Sequence, residues 1–213
     1  MNIQIDNLAV RYDEHLLFEN LSITIQSKQK YCIDGPSGCG KSSVLKAILG
    51  FVQPKTGQIH IDGELVNDNT AWKLRQNIAY VAQEPDLGQQ GVLEYLRQPF
   101  GYKANAHLKW NQEIVDSWLD RFNLVRKLLN KQTGDLSGRE KQRIAIIVAL
   151  LLDRPILLLD EPASALDKQS KQILRDILAD LKKTVVFVSH EDVLTETADA
   201  TVQLASVQGG AHE

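Results

Sequence analysis

The chain has 213 residues, 43% hydrophobic and 24% charged, a balance that permits one sizeable buried core. Its 24 basic and 27 acidic side chains leave a net charge of −3, which offers no electrostatic footprint for nucleic acid. The two cysteines, Cys32 and Cys39, and five histidines show no zinc-type spacing, and reduced thiols in a cytosolic setting are expected.

The opening Met1-Asn2-Ile3-Gln4 carries neither a basic segment nor a long apolar run, so no signal peptide is expected. Ile3/Ile5, Leu21/Ile23/Ile25 and Ile59/Ile61 alternate with period two and predict short strands. Gly57 and Asp62-Gly63 bracket the last of these as turn signals. Before it, apolar Tyr31-Cys32-Ile33 leads into Gly35-Pro36-Ser37-Gly38-Cys39-Gly40-Lys41-Ser42, which matches Gly-x4-Gly-Lys-Ser/Thr. A helical pattern follows from Ser43 to Leu49, and strand–loop–helix is the context in which that motif binds phosphate. The glycines let the backbone fold around an anion, and the helix start adds a positive field. Lys41 supplies a point charge for β- and γ-phosphates, and Ser42 offers a hydroxyl to Mg²⁺. These residues predict a nucleoside triphosphate site.

Ile78 to Ala82 reads as another strand, ended by Glu84-Pro85 after Gln83. Gly88, Gly91, Pro99 and Gly101 then punctuate a mostly helical stretch, and apolar residues at 114, 115, 118, 119 and 122 predict a helix over 110–122. A helix over 138–152 follows; its Ile144 to Leu152 is the longest apolar run, far short of the ~20 residues of a membrane span. The end alternates: strand 156–160, helix 168–181, strand 184–189, helix 191–198 and a short strand near Val202. Ile156 to Leu159 and Val185 to Val188 are apolar throughout, as expected of a parallel sheet covered on both faces. The reading is an α/β, P-loop NTPase core with a mostly parallel sheet, an N-terminal antiparallel β part and an inserted α-helical part. Residues 1–213 form one domain, with 1–83 and 143–213 as the core and 84–142 as the insertion.

The apolar strand Leu157-Leu158-Leu159 ends in Asp160-Glu161-Pro162, and a carboxylate there faces the ligand crevice of an open parallel sheet. Asp160 can hold the hydration shell of Mg²⁺, and Glu161 can orient the attacking water. Leu136-Ser137-Gly138-Arg139-Glu140 precedes Lys141-Gln142-Arg143 and the long helix. On these pieces the chain resembles the ATP-binding subunits of ABC transporters, whose Leu-Ser-Gly-Gly-Gln signature separates them from other P-loop ATPases. The resemblance covers essentially the whole chain.

It implies ATP and Mg²⁺ as ligands, Mg²⁺-dependent ATP hydrolysis, and a head-to-tail homodimer with ATP at the interface. It implies nucleotide contact through Gly35, Pro36, Ser37, Gly38, Cys39, Gly40, Lys41, Ser42 and Ser43, and a metal site of Ser42, Gln83 and Asp160. Glu161, His190 and Lys41 would be catalytic, with His190 reaching the γ-phosphate from Val188-Ser189-His190. Ser137 and Gly138 would contact the γ-phosphate bound by the opposite subunit, and Ser164-Ala165-Leu166-Asp167 would cross the interface. Tyr12 would stack on adenine, although by residue type alone it serves equally as a packing tyrosine. Ser137 and Glu140 also satisfy a capping box, and both readings can hold together. Arg139 stands where the family has a second glycine and Glu140 where it usually has glutamine.

The implied partner is a separate integral membrane permease, which would hold the chain on the cytoplasmic face of the inner membrane; no nucleic-acid partner is expected. Within the family the chain is most similar to small bacterial ATP-binding proteins assigned to iron export. That likeness rests on Leu45-Lys46, Tyr80-Val81-Ala82-Gln83 and Leu119-Asp120-Arg121-Phe122. Lipoprotein-release and cell-division ATPases share the size and motifs, and a soluble non-transport ATPase of the family is the other alternative.

Overall fold

The computed structural model describes residues 1–12 and 15–205; the side chain of Tyr12 lies outside that description. In chain order the elements are β1 (Ile3–Tyr12), β2 (His15–Ile25), β3 (Lys30–Asp34), α1 (Lys41–Ile48), β4 (Thr56–Ile61), β5 (Glu64–Leu65), α2 (Ala71–Leu74) and β6 (Ile78–Val81). Then come α3 (Val92–Arg97), α4 (Gln112–Arg121), α5 (Gly138–Leu151), β7 (Ile156–Asp160), α6 (Lys168–Asp180), β8 (Thr184–Val188), α7 (Asp192–Thr195) and β9 (Ala200–Gln203).

Two sheets organise the molecule. One is antiparallel in the order β2-β1-β4-β5, and the other is parallel in the order β6-β7-β8-β3-β9. The central parallel strands β7 and β8 are buried along their whole length because each face meets a different core. Ile156 and Leu158 of β7 and Val186 and Val188 of β8 face a cluster containing Ile3, Ile5 and Ile25 of the antiparallel sheet and Val44, Leu45 and Ile48 of α1. Leu157, Leu159, Val185 and Phe187 point the opposite way, to Ile144 and Ile147 of α5 and to Leu174, Ile177 and Leu178 of α6. Period-two side-chain alternation makes this division, and each such side chain fully buried stabilises the fold by roughly 1.5–3 kcal/mol.

Residues 84–142 are less regular than the expected helical stretch. Before α5 begins at Gly138, the α-helices there are α3 and α4, and single 3₁₀ turns occupy Gln98–Gly101, Lys103–Asn105, Arg126–Asn130 and Thr133–Asp135. Pro99 and the scattered glycines interrupt longer helices. α4 begins two residues after Trp110 because the Asn111 side chain accepts from the amides of Glu113 and Ile114 at 2.8 and 3.3 Å and so fixes the N-cap. The expected helix over 191–198 contracts to the four residues of α7. Val92, Leu96, Val115, Leu119 and Phe122 carry the insertion onto the α5 side of the core. The Arg154 guanidinium donates to the Asn105 side chain across the same boundary. Among the described residues no helix is long and apolar enough to cross a membrane.

Candidate nucleotide-binding site

The C-terminal ends of β3, β7 and β8 converge, and the groups with the most chemistry lie there, as an open parallel sheet dictates. The loop from Gly35 to Gly40 joins β3 to α1. Its first glycine has φ 152°, and a Cβ there would stand 2.4 Å from the Leu204 carbonyl oxygen. Gly40 has φ 97°, and a Cβ would meet Phe18 at 2.9 Å. Only glycine satisfies both backbone and neighbours at these two points. α1 starts on Gly40 with no side-chain cap and no acidic residue in its first turn. Its amide end is therefore open to an anion from outside the chain.

The Lys41 ammonium donates to the carbonyl oxygens of Gly35 at 2.7 Å and Pro36 at 3.1 Å, so it lies folded over its own loop. Asp34 anchors the loop's entrance: one carboxylate oxygen accepts from the Gly35 amide at 2.7 Å and the other from the Gln203 amide at 2.7 Å. The Gln203 bond, opposed by burial and reinforced by the Gly35 amide, Lys41 and His190, holds this carboxyl below its ordinary range. Strand β9 is thereby tied to the phosphate loop.

The Ser42 hydroxyl donates to Asp160 Oδ1 at 2.8 Å, and the Tyr80 hydroxyl donates to Asp160 Oδ2 at 3.3 Å. Burial first, then the Asp160 charge and hydrogen bond, push the Tyr80 phenol up, so it stays a donor. Glu161 has φ 43°, a left-handed conformation uncommon for a residue with a side chain, and its amide donates to the Val188 carbonyl at 3.0 Å. That kink turns its carboxylate into the crevice. His190 Nδ1 lies 3.2 Å from both Glu161 oxygens, but only Oε1 is aligned for a hydrogen bond. Oε2 is buried with no hydrogen-bond partner among the described residues. His190 itself is 66% exposed.

These groups border a cavity of about 490 Å³ lined by Ser37, Gly38, Gly40, Lys41, Ser42, Ser43, Lys46, Gln83, Glu161, Val188, His15 and Leu17. Asp160 stands behind Ser42, and Cys39 is buried within the loop. Cys32 is buried beside Ser189; burial, with the nearby Asp34 charge, pushes its thiol up to about 12, so it stays protonated. The side chain of Tyr12, expected to stack on adenine, lies outside the described residues.

Ser137 and Gly138 do not join the cavity; they form the exposed start of α5. There the Ser137 amide and hydroxyl both donate to Glu140 Oε2, at 2.8 and 2.7 Å, and the Glu140 amide returns to the Ser137 hydroxyl at 3.3 Å. Burial resists ionisation of Glu140, but the two Ser137 bonds with Lys131 and Arg143 prevail and its carboxyl lies below the ordinary range. One turn on, Gln142 is fully buried and neither end of its amide has a hydrogen-bond partner among the described residues.

His15, Leu17 and Lys46 also line the cavity and Tyr80 reaches Asp160, none of which follows from the motifs alone. Lys46 had a signal, since it lies four residues after Ser42 on one helix face. His15 and Leu17 enter through the Tyr12–His15 strand pairing, which spacing alone does not give.

An α/β sheet with a glycine-bounded phosphate loop, a capless helix start and paired carboxylates across one cavity defines a P-loop nucleotide-binding protein. The family comparison is more specific: residues 18–164 match the ABC transporter family, and the chain belongs to it. It is 30% identical over 215 residues to the probable iron export ATP-binding protein FetA of Escherichia coli (strain K12), covering 99% of this chain and 94% of that protein. It is 34% identical over 182 residues to the osmoprotectant import ATP-binding protein OsmV of Salmonella typhimurium (strain LT2), spanning 81% of this chain but only 47% of that relative. The ATP-binding cassette MJ0796, in a dimeric post-hydrolysis state bound to ADP and Pi, superposes with a TM-score of 0.79 at 26% identity, over 97% of each chain.

Proposed function

We propose that this chain is the Mg²⁺-dependent ATPase subunit that powers a transporter through a separate membrane-spanning subunit. Two copies would clamp two ATP molecules head to tail on the cytoplasmic face of the inner membrane. The observation that carries the reading is the convergence of Lys41, Ser42, Gln83 and Glu161 on one cavity, with His190 held against Glu161.

The donor set suits the metal. Ser42 hydroxyl, Asp160 carboxylate and Gln83 amide offer oxygen ligands, few in number, as Mg²⁺ takes when phosphates and water complete its shell. When bound, the ion supplies charge neutralisation across the β- and γ-phosphates. The chain's own residues do the rest. Lys41 leaves the Gly35 and Pro36 carbonyls for the phosphates, and the loop amides stabilise charge developing there. Glu161 orients and polarises water, its buried Oε2 free to accept a proton-bearing ligand. His190 fixes that carboxylate through Oε1 and presents the rest of its ring to the γ-phosphate side. Ser137 and Gly138 would close the pocket of the opposite copy, and Tyr12 would stack on the base. Residues 84–142 would move as the signature-bearing unit and receive the permease.

For cargo we favour a metal ion, because the relative named for iron export matches this chain nearly end to end. The import relative extends well beyond it. The test of the clamp is Glu161→Gln. It should bind ATP as the wild type does, lose at least a hundredfold in hydrolysis, and accumulate as an ATP-dependent dimer in size-exclusion chromatography. A protein that stays monomeric in saturating Mg²⁺–ATP, with or without the co-expressed permease, would overturn the reading.

A further inference from the structure

We propose that Tyr80 is a positioning residue for the metal-bearing carboxylate, its hydroxyl and that of Ser42 gripping opposite oxygens of Asp160. The inference rests on the Mg²⁺–nucleotide reading above and extends it to a residue outside the expected ligand set.

The placement follows from strand register. Tyr80 of β6 pairs with Leu158 of β7, two residues before Asp160. Side chains two apart on a strand share a face, so Tyr80, Leu158 and Asp160 emerge on the same side of the sheet. Leu158 fills the core there, Tyr80 packs half-buried against the same cluster, and the phenol extends to the carboxylate at the strand's end. The terminal torsion of an aspartate is broad, so one hydrogen bond leaves the carboxylate plane loosely set. Donors on both oxygens, 2.8 Å at Oδ1 and 3.3 Å at Oδ2, fix it.

Mg²⁺ demands near-ideal ligand directions, and groups that orient its ligands are commonly worth roughly tenfold or more in affinity. A phenylalanine would fill the same half-buried volume against the core. What the hydroxyl adds is direction for Asp160. Tyr80 also sits three residues before Gln83, so one strand end carries both the orienting phenol and a second candidate ligand.

The test is Tyr80→Phe, read by the Mg²⁺ concentration that half-saturates tightening of a fluorescent ATP analogue, and by Mn²⁺ binding in electron paramagnetic resonance. We expect the metal midpoint to rise roughly tenfold, while melting temperature and nucleotide affinity in excess EDTA stay at wild-type values. In an Asp160→Asn background the same substitution should shift the midpoint no further, because its effect passes through the carboxylate. An unchanged midpoint in the single variant, or an equal shift in the Asp160→Asn background, overturns the role of Tyr80 and leaves the nucleotide site standing. Wild-type protein whose ATP binding ignores Mg²⁺ and Mn²⁺ overturns both.

Discussion

Two helix starts in this protein have the same polarity and opposite chemistry. α1 begins on a glycine without a side-chain cap, without an acid in its first turn, and beside a cavity. α5 begins on Ser137 with a complete capping box: the Ser137 amide and hydroxyl donate to the Glu140 carboxylate, and the Glu140 amide donates to the Ser137 hydroxyl. The glycines divide in the same way. Gly35 and Gly40 are required by contacts inside the chain, whereas a Cβ on Gly138 would meet nothing within 4 Å. The phosphate loop is thus built by its own subunit. Nothing among the described residues requires a glycine at 138, so substitution there separates the chain's own packing from any pairing with a second copy.

The largest effect should come from the open end. Lys41→Ala removes a Lys–phosphate contact of roughly 4 kcal/mol before desolvation, so ATP affinity should fall at least about a hundredfold in titration calorimetry. Alanine at the two kinds of glycine sharpens the contrast. Gly35→Ala should destabilise the fold by about 1–3 kcal/mol and weaken nucleotide binding with it. Gly138→Ala should leave the melting temperature unchanged or slightly raised, as helix propensity favours, yet abolish ATP-driven dimerisation of the Glu161→Gln protein. Equal losses of stability from both would break the comparison.

Smaller effects test the closed end. Gln142→Leu replaces a buried amide that lacks hydrogen-bond partners among the described residues and should stabilise the isolated chain by about 1–2 kcal/mol in urea unfolding. Glu140→Gln keeps the cap and removes the charge that occupies Ser137. Pairing of the Glu161→Gln protein in ATP should tighten by about 1 kcal/mol, near fivefold, in sedimentation. The pH sign follows from the depressed Glu140 carboxyl. Its contribution is present above the ordinary carboxylate range and is lost as pH falls through the folded value, so Glu140→Gln should flatten the acid limb of stability.

Much of this was written in residue order. Gly35 to Ser42, Asp160-Glu161 and His190 each follow an apolar strand, and strand ends of a parallel sheet must meet along one edge. The capping box was legible too, from Ser137 and Glu140 three residues apart. The inserted helical part was legible in 84–142, but the 3₁₀ turns that divide it were not, because two of them, Lys103–Asn105 and Arg126–Asn130, contain neither proline nor glycine.

What the sequence determined by itself was the chemistry available: a loop that can wrap phosphate, carboxylates at a strand's end, and strands too apolar for any place but the middle of a sheet. These follow from local spacing and side-chain type. Only the tertiary structure decided that Tyr80 reaches Asp160, that His15 and Leu17 wall the cavity, and that Glu140 already holds Ser137. Those outcomes depend on strand register, on hairpin pairing and on which of several rotamers a polar side chain adopts. None of these is fixed until distant segments have packed.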